Sequence, residues 1–443
     1  SNTTVYITTM HPYHPQWNSF AGSGDKWDKK NEWSAYSTGR TNPNAYGGHS
    51  DALDWDRRLD HVSIIYDMLF PYIITDGVLD DDNMGIPESA NGIPDILDEA
   101  RNEVDFWLRL RDGQGYSHGI NNPNSDNVFY QAGITAVAAW ANAVNAAMLS
   151  NSFLIEGSTE LMEMYRDSAI AAYSYASQLP DQMLDKSQGI GIGHMTGRDF
   201  KATAAAYLYN ITGETAYEDD LNSLNRCTSP ESSIQTSEFN QLYAVAAYLF
   251  SNREIHYPEM YDNMKQSLIN EAKNKEAKWS NQRPSRRATD NNDAWFVTFL
   301  QVQRTILAHA LSDEGSADRI LFENALTLEA DWSLGRNPLN MIIMTTATTL
   351  LENEKSVPNA YTSGWNDGTP GVHPGHTPYM NIYDWGGGIR GEPSWMTKKN
   401  YPNASSWPYG EMYYNTRYVW AANEFTPQQT MRGKQALYSY LYA

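Results

Sequence analysis

The chain has 443 residues, 41% of them apolar, enough to bury a substantial core. Its formal net charge of −21 repels phosphate backbones and anionic lipid, so it argues against nucleic-acid and membrane-surface partners. Cys227 is the single cysteine, which excludes an intrachain disulfide, and no apolar run is long enough to span a bilayer.

Residues 1–50 are rich in Trp, Tyr, His, Gly and Asn without a helical period. They read as extended chain and loops packing on the helical remainder of the protein, with Thr4–Thr9 the best strand-like run. A helical period begins after Arg57: Leu59, Val62, Ile65, Tyr66, Leu69 and Phe70 recur at the spacing of one helix face. A second helix is predicted after Pro94, with Ile96, Leu97, Ala100, Val104, Trp107 and Leu108 set among acids and arginines. Further helices are expected over 131–150, 160–178, 199–212, 217–225, 237–250, 258–277, 294–311, 316–334, 413–423 and 428–442. Gly213 sits where a helix stop is needed, and Gly335-Arg336-Asn337-Pro338 stops another. Met341–Thr346 is the second strand-like run.

About twelve helices in hairpin pairs, with no repeat of fixed period, predict an all-α protein built as an α/α toroid. Residues 336–412 form a long non-helical stretch dense in Gly, Pro, His, Trp and Asn, a length that points to function. The chain is read as an N-terminal segment, 1–50, and a catalytic domain, 51–443.

Two features carry chemistry. Asp51 and Asp54 stand three residues apart after Gly47-Gly48-His49, a layout suited to activating water. Glu424, near the other end, is a candidate partner acid. The spacing is common here: Asp25/Asp28, Asp95/Asp98 and Asp290/Asp293 repeat it among 53 acidic residues. Asp51 and Asp54 are therefore equally readable as solvated charges, and Glu424 as a helix-surface carboxylate. Fourteen Trp and 29 Tyr against 12 Phe suit a sugar-stacking cleft, while a large core with amphipathic rims accounts for many of them. Asp80-Asp81-Asp82-Asn83 is an acidic loop, either solvated or a calcium site without EF-hand spacing.

Five segments, in order, resemble the family-nine glycoside hydrolases. They are Gly47-Gly48-His49-Ser50-Asp51-Ala52-Leu53-Asp54; Pro94-Asp95-Ile96-Leu97-Asp98-Glu99-Ala100-Arg101 with Phe106-Trp107-Leu108; Ala204–Gly213; Leu334-Gly335-Arg336-Asn337-Pro338; and Asn423-Glu424. The resemblance implies an (α/α)6 barrel and inverting hydrolysis of β-1,4-glucosidic bonds in cellulose or a related β-glucan. It implies Asp54 as general base, Asp51 as the carboxylate helping to hold the water, and Glu424 as general acid. His373, with His376 as the competing assignment, matches the loop histidine that binds sugar. Trp55, Tyr413, Tyr414 and Trp385 are further candidates for substrate contact. No cofactor is expected, and structural calcium is compatible. A secreted, periplasmic or cell-surface monomer is expected.

The chain departs from the family pattern at Leu53, where a small Gly is usual, and at His49, where an aromatic is usual. The loop around His373 lacks the following Arg, and Phe425-Thr426-Pro427 replaces the usual ending. These departures leave open a related β-glycosidase acting on another β-glycan or an amino-sugar oligosaccharide. They also leave open a catalytically silent carbohydrate-binding barrel.

Overall fold

The computed structural model describes residues 3–13, 34–49, 59–122, 127–187, 195–236, 240–282, 302–337, 339–344, 401–402, 406 and 435–443. These fall into two compact units, one up to Ser267 and the other from Leu268 to Tyr442.

The first unit opens with β1 (Thr4–Thr8) and β2 (Ser37–Thr41). β1 pairs antiparallel with β2 and parallel with β6 (Val128–Gln131), which pairs antiparallel with β5 (Ile120–Asn121). The sheet order is β2-β1-β6-β5. The N-terminal segment thus supplies two strands to a small sheet: β1 falls on the expected run Thr4–Thr9, and β2 is a second strand that the pattern does not announce. A short hairpin joins β3 (Arg111–Asp112) to β4 (Gly115–Tyr116).

Helix α1 (Val62–Ile74) follows a 3-10 turn over Leu59–His61 and is buried over most of its length. Pro71 lies inside it; the Thr75 hydroxyl donates to the Pro71 carbonyl at 2.7 Å. Helix α2 (Asp95–Arg109) begins right after Pro94, because proline at a helix start forfeits only an N–H that has no partner there. Its buried side carries Leu97, Ala100, Val104 and Trp107, and also the acids Asp98 and Glu103.

Helix α3 (Ala136–Glu156) is buried nearly all round. Its alanines let neighbours approach closely, and it packs against α1, α2, α4 (Thr159–Gln178) and α5 (Gly197–Thr212). The helix expected from Gln131 starts later than its sequence pattern predicts. The ladder to β1 and β5 takes Gln131, and Thr135 caps α3 by accepting from the Ala138 N–H at 3.0 Å. Thr196 and Asp199 form a capping box at the start of α5, and Gly213 ends it in the left-handed conformation at φ 73°. Helices α6 (Thr215–Leu224), α7 (Leu242–Leu249) and α8 (Pro258–Glu271) follow. Much of the tyrosine surplus is core: Tyr66 stacks on Tyr243 at 3.7 Å between ring centroids. Burial raises the Tyr66 phenol well above its ordinary range.

In the second unit, α8 runs into a π-helical stretch, Ala272–Ala277, and α9 (Lys278–Gln282). Among the described residues, helices α10 (Gln303–Leu311), α11 (Ala317–Ser333) and α12 (Ala436–Tyr442) follow. Ala272, Ala277, Ala308, Phe322 and Ala325 form its core cluster. His309 and the Tyr440 hydroxyl meet at 2.6 Å, tying α12 to α10. The stop after α11 is built by Asn337, whose amide donates to the carbonyls of Trp332 and Met341, each at 2.7 Å. No strand element falls on 341–344, the described part of the run read as strand-like. The expected helix over 413–423 lies outside the described residues. Among the described residues no helix is long and apolar enough to cross a membrane.

Candidate active site

The best-defined part of the candidate site is the approach to Asp51. Residues 42–49 are fastened along α2. Asn42 donates from its amide to the Arg109 carbonyl at 2.9 Å and to Gln131 Oε1 at 2.8 Å. The Arg109 guanidinium lies over the Tyr46 ring, 4.2 Å from its centroid, and is paired with Asp105 at 3.1 Å.

Gly47 and Gly48 then turn the chain at φ 88° and 81°, left-handed values that suit glycine. Gly48 also sits against Phe106: a Cβ built there would lie 2.7 Å from the ring's Cγ. The turn delivers His49 onto two acids one helical turn apart on α2. The His49 backbone N–H donates to Glu103 Oε2 at 2.5 Å, and its Nδ1 lies 3.3 Å from the same oxygen. Nε2 meets Glu99 Oε1. On its other oxygen, Glu103 accepts from Trp107 Nε1 at 2.6 Å and from His61 Nδ1 at 2.7 Å.

Glu103 is fully buried, so it needs both hydrogen bonds and countercharge. Burial raises its carboxyl pKa, but the charge and hydrogen bond of His61, the charge of His49 and the Trp107 N–H outweigh it and hold it below the ordinary glutamate value. Burial likewise works against a charged His49. The Glu99 hydrogen bond and the charges of Glu103 and Glu99 overcome it and raise His49 above 6.5. The hydrogen bond from His49 is the main cause that lowers Glu99.

Of the residues expected to act, Asp51, Asp54, Trp55, His373, His376, Trp385, Tyr413, Tyr414 and Glu424 all lie outside the described residues. The structure therefore reports on the frame that ends two residues before Asp51. Sequence reasoning does not single out Glu103 or His61. The available signal is a pair of glutamates at i and i+4 interrupting the apolar side of a helix that also carries Trp107.

The acidic loop before α2 has a structural use. Asp82 accepts the N–H groups of Ala90, Asn91 and Gly92 at 2.6, 3.3 and 2.7 Å. Those bonds, led by the one from Gly92, lower its pKa. Asp95 accepts from the Met84 N–H at 2.5 Å and the Ser89 hydroxyl at 2.7 Å. The bonds from Ala90, Asn91 and Gly92 commit Asp82 to bracing the loop. Among the described residues no group of three or more His, Cys, Asp or Glu is placed to hold a metal.

Comparison with known proteins places this frame. The solved structure of a Bacteroides ovatus GH9 protein is 19% identical, covering 99% of this chain and 80% of that one, with a TM-score of 0.65. A single mutant of a thermostable endoglucanase from Alicyclobacillus acidocaldarius is 17% identical over 91% of this chain and 76% of that one, also at 0.65. AaCel9A in complex with a cellobiose-like isofagomine is 18% identical over 90% and 74%, at 0.64. No match was found among curated proteins. The shared fold is the helix-rich (α/α)6 barrel class that the family resemblance implies. The family model for Glycosyl hydrolase family 9 matches residues 70–428, and the chain belongs to that family. It is a glycoside hydrolase.

Proposed function

We propose that the protein is an inverting endoglucanase cleaving β-1,4-glucosidic bonds in cellulose or a related β-glucan. Asp54 takes a proton from the attacking water, and Asp51 helps to hold that water. Glu424 protonates the leaving oxygen from the opposite face of the sugar. His373 or His376, with Trp55, Trp385, Tyr413 and Tyr414, bind the glucan. Residues 1–50 belong with the catalytic domain 51–443 as its packed N-terminal segment. The enzyme works as a secreted, periplasmic or cell-surface monomer without a cofactor.

The observation that supports this reading is the clamp on the Gly47-Gly48-His49 turn. Two left-handed glycines and a buried carboxylate on the family's signature helix hold the chain firmly where it enters the Asp51/Asp54 pair. A loop of solvated charges has no need of such a frame. The family match also extends through Glu424.

The test is reducing-sugar release and product anomer on a soluble β-1,4-glucan for wild type, Asp54→Asn and Glu424→Gln. Wild type should release product with inverted configuration, and each variant should lose roughly 10²–10⁴-fold in kcat. Retained configuration, or full activity in either variant, would remove the assignment.

A further inference from the structure

We propose that His49 and Glu103 are positioning residues for the proposed base, fixing the turn from which Asp51 and Asp54 follow. The inference rests on Asp54 as the base and adds to it residues outside the reacting pair.

His49 is held at three points by two side chains of one helix. Its backbone N–H and its Nδ1 both face Glu103 Oε2, at 2.5 and 3.3 Å, and its Nε2 faces Glu99. The residue before it, Gly48, is pressed against Phe106, so the turn cannot slide toward α2. Glu103 cannot swing away either, because Trp107 and His61 hold its second oxygen at 2.6 and 2.7 Å. His61 is itself buried and edge-on to Trp107, with 6.0 Å between ring centroids. His49, Glu103 and His61 thus form one connected unit, joining the turn to α2 and to the 3-10 turn ahead of α1. These two attachments bracket Asp51 and Asp54 in the chain: His49 stands two residues before the pair, and His61 seven residues after Asp54.

A charged imidazole suits this role better than an apolar ring. It bonds Glu99 through Nε2, sets Nδ1 3.3 Å from Glu103, and supplies the positive charge that a fully buried carboxylate requires. A simple packing role would need neither property. Bracketing both ends of a catalytic segment sets where its carboxylate stands relative to the anomeric carbon. A displacement of about 1 Å at that point costs on the order of 10²-fold in rate. Because the base meets water and not the glucan, the loss falls on kcat and spares substrate binding.

The experiment compares wild type, His49→Ala, His49→Gln, Glu99→Gln and Asp54→Asn on a soluble β-1,4-glucan. Rates are normalised to folded protein by circular dichroism. His49→Ala should lower kcat by about 10- to 100-fold with KM within about twofold. His49→Gln keeps a side-chain donor toward Glu99 but not the charge beside Glu103, and should recover part of that loss. Glu99→Gln changes a partly exposed side chain, so its fold is secure, and it should lower kcat by about threefold at unchanged KM. Wild-type kcat in both His49→Ala and Glu99→Gln would overturn the proposal. So would a fall in thermal stability with unchanged kcat per folded molecule, or a rise in KM equal to the fall in kcat. Asp54→Asn separates the two readings. If it is inactive while His49→Ala is fully active, only the positioning role fails. If Asp54→Asn retains activity, the base assignment fails and the positioning role with it.

Discussion

Among the described residues each unit buries two glutamates, and one of each, Glu103 and Glu276, are neutralised differently. In the first, Glu103 is held by Trp107, His61 and the His49 N–H. In the second, Glu276 lies near the end of the π-helical stretch and accepts from Arg304 Nε at 2.7 Å, the Thr305 N–H at 2.9 Å and the Thr305 hydroxyl at 2.8 Å. Arg304 also reaches Glu271 at 3.0 Å. Burial and the number of hydrogen bonds are similar, so the cation makes the difference. Arginine never releases its proton in a protein, whereas histidine titrates near neutrality. The Glu276 site is therefore a fixed brace, and the Glu103 site is a brace whose countercharge depends on pH. The titratable one lies beside the chain segment that carries the proposed base.

Removing each carboxylate tests that contrast most strongly. Glu276→Ala takes one carboxylate from a charged Arg304, and Glu103→Ala takes one partner from each of two histidines and a tryptophan. Each should cost about 3–5 kcal/mol of unfolding free energy, measured by denaturant titration. The cost of Glu276→Ala should stay level between about pH 5 and pH 8. The cost of Glu103→Ala should grow as pH falls across that range, because a charged His49 then has no buried carboxylate beside it. Parallel pH profiles for the two variants would dissolve the distinction.

Glu103 and Glu276 also show what a sequence can carry. Helix α2 is legible in position and type because its signals are local: Pro94 at the start and an apolar face interrupted by acids. The end of α5 at Gly213 is legible for the same reason. The start of α3 is not, since Gln131 is held in a strand by β1, more than a hundred residues away in the chain. At the site, the Gly-Gly-His turn can be recognised as a motif. Its clamp cannot, because His49 and Glu103 are 54 residues apart and His61 and Glu103 are 42 apart. No local period announces a buried ion pair between segments so distant. The partners of Glu276 escape for the same reason, with Arg304 28 residues further on.

A smaller effect tests whether the turn itself is tightly held. Gly48→Ala would place a Cβ 2.7 Å from Phe106 Cγ at a backbone φ of 81°. Left-handed strain and overpacking together should cost about 2–4 kcal/mol. Gly39 shares the left-handed conformation at φ 74°, but nothing lies within 4 Å of its added Cβ. Gly39→Ala should therefore cost only about 1–2 kcal/mol. Thermal unfolding of the two variants measures the difference, and equal losses would mean that Phe106 yields and the turn is not pinned.

The smallest effect is the pH response of the wild-type clamp. His49 is raised above 6.5 in the folded state, so its stabilising contribution is complete below that value and is lost as pH rises through the folded pKa. Glu99 and Glu103 are lowered below 4.5, so their contributions are complete above that value and are lost as pH falls through the folded pKa values. The clamp should therefore stabilise most between about pH 4.5 and 6.5. Unfolding free energy against pH should decline on the alkaline side in wild type. His49→Gln removes the titrating imidazole, so that decline should flatten; the Glu99 part of the acid limb, which His49 sets, should shrink, while Glu103, still held by His61 and Trp107, keeps its part. An unchanged alkaline limb in His49→Gln would mean that another group drives it, and that the His49 charge does not support the turn.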